Sequence, residues 1–391
     1  MMNEKSLTIG STVALPKAEL DHLLADLRSN GYQTVGPRLQ DDCIVYKEIE
    51  GLQDLPRGLL SEQKPAFYRL IQTGQDRYFD FIPAGQSWKQ FLFPPRQHLF
   101  TAQKTSSEGH TEGHSSVSAG RTTKWQIKAD DAPTPRYALV GVRACELAAI
   151  AVQDRVFMRS DFTDPIYRAR REGLFILAVN CLHPNATCFC VSMGTGPRHK
   201  AGFDLCLTEM DDLFLVEAGS ELGLSLLARR KYELPSAFVQ TAANQATELA
   251  AGKMSRSMDT SDLPGVLTGH LDAERWNQVA KRCLSCANCT QVCPTCFCWE
   301  AFDQTDVLGN KTSRERVWDS CFNPNFSYVF GGNTRPNIRS RYRQWLTHKL
   351  GAWKGQFDVL GCVGCGRCIT WCPVGIDLTE EVAAIRQEVK A

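Results

Sequence analysis

The sequence predicts an N-terminal α/β part, with a mixed sheet and helices, followed by a mainly α-helical C-terminal domain. Two observations support this division. Apolar runs such as 138–142 and 174–179 alternate with helical patterns, which is typical of strands buried on both faces of a sheet. Two cysteine-rich runs begin at Cys283 and Cys362, and the segment between them shows helical spacing of apolar residues.

The N-terminal part, residues 1–265, is predicted to begin with a helix between residues 13 and 31. The segment 105–123 is rich in Ser, Gly, Thr and His without periodicity, and we interpret it as a mobile loop. A polar linker at 253–265 ends this part, and residues 266–391 form the second domain. The further predicted elements are, in chain order, strands at 43–46, 78–81 and 138–142, a helix at 146–157, and strands at 174–179, 203–207 and 213–216.

Seventeen cysteines stand out in the composition, and eight of them form two runs with the spacing of bacterial ferredoxins. In each run, two-residue gaps separate the first three cysteines, and a three-residue gap leads to Cys-Pro. The first three thiolates hold three corners of a cubane, and the fourth ligates the other cluster. Zinc is the alternative, but a zinc site has no use for the third cysteine and the Cys-Pro. We predict two [4Fe–4S] clusters, one held by Cys283, Cys286, Cys289 and Cys372, the other by Cys362, Cys365, Cys368 and Cys293.

Four further cysteines follow the two central strands of the α/β part: Cys145, Cys181, Cys188 and Cys190. In open α/β sheets, sites gather beyond the carboxyl ends of strands, so these thiols could approach one another. Their spacing matches no ferredoxin pattern. The residues alone leave open whether they hold a third iron–sulfur cluster or are buried free thiols.

The C-terminal domain is predicted to surround its cysteine runs with helices. Residues 272–282 form a helix that delivers Cys283, and Asp377 caps a last helix. The insert between the runs carries one apolar helical face and several basic residues: Arg335, Arg339, Arg341, Arg343 and Lys349. Such cations would stabilise an anionic cluster, although a solvated helix face would have the same pattern.

Five cysteines remain without a role: Cys43, Cys206, Cys296, Cys298 and Cys321. We interpret Cys296 and Cys298 as bystander thiols, because the sequence shows no base or helix N-terminus that would lower the pKa of either thiol. The alternative is a redox-active thiol pair with direct sulfur chemistry.

Composition and charge exclude several classes of function. Lys and Arg number 44 against 43 Asp and Glu, a formal net charge of +1, so no global field favours nucleic acid. No apolar run of about 18 residues is present to cross a membrane, and the start of the chain lacks a signal-peptide core. Clustered cysteines without a secretory signal indicate metal binding rather than disulfides. We expect a cytoplasmic protein that binds neither nucleic acid nor membrane.

Several motifs together resemble one protein family. They are Phe91-Leu-Phe-Pro-Pro-Arg96, Gly141-Val-Arg-Ala-Cys-Glu146, Asn180-Cys181, Cys188-Phe-Cys190-Val-Ser-Met-Gly-Thr-Gly-Pro197 and Trp318-Asp-Ser-Cys321. The family contains the iron–sulfur (beta) subunits of cytoplasmic nickel–iron hydrogenases of the sulfhydrogenase type, and also the related iron–sulfur subunit of anaerobic sulfite reductase. Ala144 departs from the family pattern, which has proline before the cysteine, but the cysteine itself is retained.

The resemblance implies an electron-transfer subunit with no catalytic residue of its own. It implies a third [4Fe–4S] cluster at Cys145, Cys181, Cys188 and Cys190, and no flavin, nickel or haem in this chain. The implied partners are a subunit that binds flavin and NAD(P), together with the small and large subunits of a hydrogenase. The sirohaem subunit of a sulfite reductase is the alternative partner. A hypothesis of another class makes the chain a thiol- or cluster-based sulfur or disulfide reductase in its own right.

Overall fold

The computed structural model describes residues 7–106, 123–129, 133–159 and 161–388. Residues 107–122 of the predicted mobile loop 105–123 lie outside this described part. The strands are, in chain order, β1 Thr12–Pro16, β2 Gln33–Gln40, β3 Cys43–Glu48, β4 Leu59–Lys64, β5 Phe67–Gln72, β6 Arg96–Ser106, β7 Thr123–Ala129, β8 Tyr137–Val142, β9 Phe175–Val179, β10 Leu205–Glu209, β11 Leu213–Ala218, β12 Trp299–Thr305, β13 Lys311–Trp318, β14 Tyr328–Val329 and β15 Gly332–Asn333.

Helices are distributed over both halves of the chain. They are α1 Glu19–Ser29, α2 Lys89–Leu92, α3 Ala144–Phe157, α4 Pro165–Glu172, α5 Glu221–Leu227, α6 Ala237–Gly252, α7 Leu263–Gly269, α8 Arg275–Arg282, α9 Asn288–Gln291, α10 Ile338–Thr347, α11 Trp353–Phe357, α12 Arg367–Thr370 and α13 Leu378–Glu388. A π-helical turn, His348–Ala352, joins α10 to α11. None of these helices is long and apolar enough to span a membrane.

A seven-stranded mixed sheet organises the N-terminal part, in the order β1-β11-β10-β9-β8-β2-β3. The neighbours β10, β9, β8 and β2 are parallel, whereas the pairs β1/β11, β11/β10 and β2/β3 are antiparallel. β9 is buried at every position and β8 at all but its first, because both faces of these apolar strands are covered. The predicted mixed sheet with helices is confirmed.

The two faces of this sheet bury separate cores. On one face, the leucines of α1 pack against β8 and β9, from Leu20 to Leu27. On the other face, Ile150 and Phe157 of α3 pack against Leu139 and Ile176. With both faces covered, the carboxyl ends of β8 and β9 are held at one edge, where the segments carrying Cys145 and Cys181 begin.

A second sheet joins the two halves of the chain. β6 and β7 pair with the hairpin β12–β13 in the antiparallel order β12-β13-β6-β7. This hairpin was not predicted from the sequence, because β12 is exposed at nearly every position and so carries no apolar alternation. The C-terminal part therefore contains strands as well as helices, and its predicted mainly helical character is not confirmed.

The predicted strand at 78–81 is wrong. The N–H groups of Tyr78 and Phe79 donate to the carboxylate of Glu209, at 2.8 and 2.9 Å. Lys17 balances this buried carboxylate at 3.2 Å. The segment thus satisfies its backbone through one side chain instead of joining a strand ladder.

The C-terminal helices enclose an aromatic core that supports both cysteine runs. α8 contributes Trp276, α10 contributes Tyr342 and Trp345, and α13 contributes Ile385. The predicted helices before the first run, in the insert and at the end of the chain are confirmed as α8, α10 and α13. Asp377 precedes α13 as predicted, and its carboxylate accepts the N–H of Thr379 at 2.9 Å.

Candidate metal centres

The first cysteine run forms a tight loop between α8 and α9. Cys283 follows α8 directly, and two left-handed residues, Ser285 (φ 53°) and Ala287 (φ 67°), turn the chain. The Ser285 N–H donates to Cys283 Sγ at 3.4 Å. One cavity is lined by the four cysteines predicted for the first cluster: Cys283, Cys286, Cys289 and Cys372.

The sulfurs of this first group are close enough to repel one another as thiolates. Burial, and then the charges of the other three thiolates of the group, raise the pKa of the Cys289 thiol well above its usual value. Four converging thiolates require a cationic partner to remain charged together.

The second run makes a similar loop that is pressed against the N-terminal part. Gly364 (φ 65°) and Gly366 (φ 74°) turn the chain, and the Gly364 N–H donates to Cys362 Sγ at 3.5 Å. A Cβ atom on Gly364 would lie 2.6 Å from the Cys190 nitrogen, and one on Gly366 would lie 2.3 Å from the Thr187 oxygen. Only glycine allows this approach.

The four cysteines predicted for the second cluster also lie together. Burial, and then the thiolates of Cys362, Cys293 and Cys365, raise the pKa of Cys368 well above its usual value. Cys293 comes from the first run, so both runs contribute to this group as the ferredoxin pattern predicts.

The third predicted group lies beyond the carboxyl ends of β8 and β9. Cys145 occupies the first turn of α3, and the Cys181 N–H donates to the Pro197 oxygen at 3.2 Å. A single cavity is lined by all four predicted cysteines: Cys145, Cys181, Cys188 and Cys190. Burial, and then the thiolates of Cys188, Cys181 and Cys365, raise the pKa of Cys190. The structure therefore brings together residues that no local spacing rule connects.

Two cysteines of the second run connect the three groups. Cys365 lines the cavity of the third group, and Cys368 lines the cavity of the first. The second group consequently adjoins both of the others and forms the middle of a row.

A buried cation accompanies each group. Near the first, Arg341 Nε donates to Ser285 Oγ at 3.3 Å; near the third, Arg367 is paired with Glu146. Beside the second, the Lys349 ammonium donates to Cys293 Sγ at 3.3 Å.

Lys349 is the most informative of these cations, because it is only 2% exposed. Its other acceptors are Thr295 Oγ1 at 3.1 Å and the Gly361 oxygen at 2.9 Å. Burial would lower the pKa of Lys349, but nearby thiolates, Cys293 foremost, raise it well above its usual value. Within the described residues no carboxylate forms an ion pair with this ammonium. A buried cation whose charged neighbours among the described residues are thiolates, not carboxylates, fits an anionic, thiolate-ligated cluster.

The zinc alternative requires four ligands around one ion. Across the described ranges, no group of three or more His, Cys, Asp or Glu side chains has the spacing to hold a single metal ion.

The network around Glu146 was not predicted from the sequence, in which this residue stands out only as part of a motif. This fully buried carboxylate accepts the Tyr46 hydroxyl at 2.7 Å, the Trp88 indole N–H at 3.1 Å and the Arg143 backbone N–H at 3.0 Å. It also pairs with Arg367, which lies between two cysteines of the second run. Glu146 thus ties the third group to the second. The available signal was an acidic residue directly after Cys145 and an arginine inside the second run.

Four of the five basic residues of the insert fall into two classes, and the fifth, Arg335, is partly buried and lines the cavity that contains Cys296 and Cys298. Arg341 and Lys349 are buried beside cysteine groups, whereas Arg339 and Arg343 lie nearer the surface, with Asp272 at 3.5 and 3.8 Å. Lys89 of α2 was not predicted: its ammonium donates to the Cys296 oxygen at 3.3 Å and lies 3.7 Å from the centroid of the Trp318 ring. No sequence pattern distinguishes Lys89 from a surface lysine.

The unassigned cysteines also divide. Cys43 and Cys206 lie in β3 and β10, outside the three groups. Another cavity is lined by Cys296, Cys298 and Cys321, whose positions in the sequence match no ferredoxin spacing.

Known proteins resemble both the cysteine runs and the wider chain. Residues 282–376, which span both runs, match the family model of a 4Fe-4S dicluster domain. Over 305 residues the chain is 34% identical to sulfhydrogenase 2 subunit beta of Pyrococcus furiosus, an alignment that covers 76% of this chain and 82% of that protein. No solved structure matches the chain. Since the alignment is far longer than the dicluster segment, it includes part of the α/β half. The chain belongs to the family of the sulfhydrogenase beta subunits.

Proposed function

We propose that this chain is the electron-transfer subunit of a hydrogenase complex and carries three [4Fe–4S] clusters. The residues that would hold the clusters are Cys283, Cys286, Cys289 and Cys372; Cys362, Cys365, Cys368 and Cys293; and Cys145, Cys181, Cys188 and Cys190. When bound, such clusters supply one-electron transfer. The observation that carries the proposal is the row of three cysteine groups, in which Cys365 and Cys368 each line the cavity of a neighbouring group.

The chain's own residues would tune and insulate this row. Lys349, Arg341 and Arg367 offset thiolate charge, and Gly364 and Gly366 allow the second run to approach the third group. Burial of these groups limits water, which strengthens every charge interaction inside.

The first group is the end of the row nearest the surface. Cys286 is exposed, and the side chain of its neighbour Leu284 is 60% exposed. We place the docking site of one redox partner here, because electron transfer favours a centre close to the protein surface.

The domain boundary at 265/266 is part of this proposal: it assigns the third group to the domain 1–265 and the other two groups to 266–391. In this division, the mainly helical character applies to α8–α13 around the two runs.

The proposed partners are a subunit that binds flavin and NAD(P), together with the small and large subunits of a nickel–iron hydrogenase, in the cytoplasm. The support is the relative, which is named as a sulfhydrogenase subunit. In this arrangement flavin and nickel reside in partner chains, and this chain itself holds no flavin, nickel or haem. Metal and cofactor analysis of the complex isolated with this chain tests the assignment: nickel and flavin are expected, and sirohaem in place of nickel would instead identify a sulfite reductase.

Cys365→Ala tests the proposed electron relay, which is the transfer of electrons along the row of three cluster sites, because this residue belongs to the second group and borders the third. We expect the variant to lose about four iron atoms per chain and to stop passing electrons between a reduced viologen and a second artificial carrier. Cys43→Ala, which alters a cysteine in β3, is the matched control and should behave as wild type. Full iron content with unchanged electron transfer in Cys365→Ala would refute the relay.

A further inference from the structure

A fourth cysteine group lies outside the three proposed cluster sites. Cys296, Cys298 and Cys321 line a cavity of about 200 Å³. Aromatic rings form much of its wall, and one of them, Trp299, is 44% exposed. Cys298 and Cys321 are themselves only partly buried. The cavity is therefore large enough for a small molecule, and the two residues that are only partly buried, Cys298 and Cys321, both line it.

Two of these thiols are in direct contact. The Cys298 and Cys321 side chains are hydrogen-bonded to each other, and the backbone N–H of Cys321 also donates to Cys298 Sγ. The backbone holds the two segments together, since the Asp319 N–H donates to the Cys298 oxygen at 2.9 Å. Trp299 and Trp318 are paired across β12 and β13, so Cys298 and Cys321 lie at the same end of this hairpin, where side-chain rotation can bring their sulfurs to the bond length of a disulfide, about 2.0 Å.

The two thiols of this pair are chemically unequal. The hydrogen bond from Cys321 lowers the pKa of Cys298 to about 7, whereas the same bond raises the pKa of Cys321. A thiol whose pKa lies near the ambient pH is the most effective attacking group in disulfide exchange. This asymmetry assigns the attack to Cys298 and the second step to Cys321.

The third thiol connects the pair to the proposed electron relay. Cys296 is buried and hydrogen-bonded to Cys293, which belongs to the second proposed cluster site. Cys296 therefore lies between the thiol pair and Cys293, which is a residue of the proposed electron relay.

We propose that Cys298 and Cys321 form a redox-active dithiol that reduces low-molecular-weight disulfides entering this cavity. The Cys298 thiolate bonds to one sulfur of the disulfide, whose S–S bond breaks and releases the other half as a thiolate. Cys321 loses its proton and attacks Cys298 Sγ, which breaks the mixed disulfide and releases the second half. Two electrons have then passed from the protein thiols to the small disulfide, and a Cys298–Cys321 disulfide remains.

Restoring the dithiol requires two electrons and two protons. This step rests on the proposed function, since the electron relay would supply the electrons from its low-potential donor. The exchange half of the reaction needs no relay and can be tested separately.

The test treats the reduced full-length chain with 2-hydroxyethyl disulfide without air, blocks free thiols, digests with trypsin and identifies linked peptides by mass spectrometry. Cleavage yields peptide 317–339, in which Cys321 is the only cysteine, and peptide 283–311, which contains Cys298. We expect these two peptides joined through Cys298 and Cys321. The link should disappear in Cys298→Ser and persist in Cys43→Ser.

Iron content distinguishes this proposal from a metal-binding role. Cys298→Ser and Cys321→Ser should retain the wild-type iron content, and loss of about four iron atoms would make these residues cluster ligands and overturn the proposal. Absence of the 298–321 link from a wild-type chain with full iron would also overturn it, while leaving the proposed function intact. A chain that forms the link but never contains iron would refute the proposed function alone.

Discussion

Lys349→Met tests whether the buried ammonium stabilises negative charge on the cysteine group around Cys293. The ammonium lies 3.3 Å from Cys293 Sγ, and its other acceptors are uncharged. Two unit charges at this separation attract by about 5 kcal/mol at an effective dielectric constant of about 20. The electron gained on reduction would be delocalised over the centre and its four thiolates. It would therefore experience between roughly a quarter and the whole of this attraction. Methionine fills a similar volume without the charge.

Removing the charge should therefore lower the reduction potential of the middle centre. Since about 1.4 kcal/mol corresponds to about 59 mV for one electron, the expected decrease is on the order of 50 to 200 mV. The assay is a redox titration followed by electron paramagnetic resonance, with the iron content of each sample measured in parallel.

Lys354→Met is the matched control for this substitution. Lys354 lies on α11 and its side chain is 51% exposed, paired with Asp358 at 3.0 Å. Solvent and salt screen such a charge, so its removal should leave the potential nearly unchanged. An unaltered potential in Lys349→Met, at full iron content, would refute the electrostatic argument.

Two further predictions concern the frame that holds the groups. Gly366→Ala should destabilise the chain by at least about 2 kcal/mol, because the φ of this residue is 74° and the new Cβ would meet the Thr187 oxygen at 2.3 Å. Gly355→Ala is the control and should leave the stability unchanged, since a Cβ there would have nothing within 4 Å. Equal thermal stability of the two variants would contradict the close approach at Gly366. Burial lowers the pKa of His199 to about 4 from 6.5, so the unfolded chain binds a proton between pH 6.5 and 4 that the folded chain excludes. The contribution of His199 to the free energy of unfolding is complete above pH 6.5, and about 3 kcal/mol of it is lost as the pH falls towards 4. Gln in place of His199 can still donate to the Val142 and Val179 oxygens, which the ring meets at 3.0 and 3.2 Å. Unfolding of His199→Gln should therefore depend less on pH, and an identical pH dependence would show that His199 is not excluded from protonation.

Local patterns explain which parts of the molecule could be predicted. β8 and β9 were predictable because their apolar runs are continuous, and both ferredoxin loops because ligand spacing within a loop is local. The third group was partly predictable, since Cys145 and Cys181 follow neighbouring parallel strands and such ends meet at one edge.

The remaining features depend on contacts between distant segments. Glu146 and Arg367 are 221 residues apart, and although each stands beside a cysteine in the sequence, no local pattern indicates that the two side chains pair. Lys89 and Lys349 are buried only because the folded chain surrounds them with thiols and carbonyls. The contact between Cys298 and Cys321 depends on the hairpin β12–β13, whose exposed residues carry no strand pattern. In each case tertiary packing determines the role of the side chain.

The proposed electron relay depends on twelve cysteines forming three cluster sites in one chain. Native mass spectrometry of the chain purified without air is the sharpest test, because it counts bound iron and sulfide on the intact protein. We expect about twelve iron and twelve sulfide per chain, with a decrease of about four of each in Cys181→Ser. A wild-type chain that holds only about eight of each, or that holds zinc, would contradict the three-cluster relay.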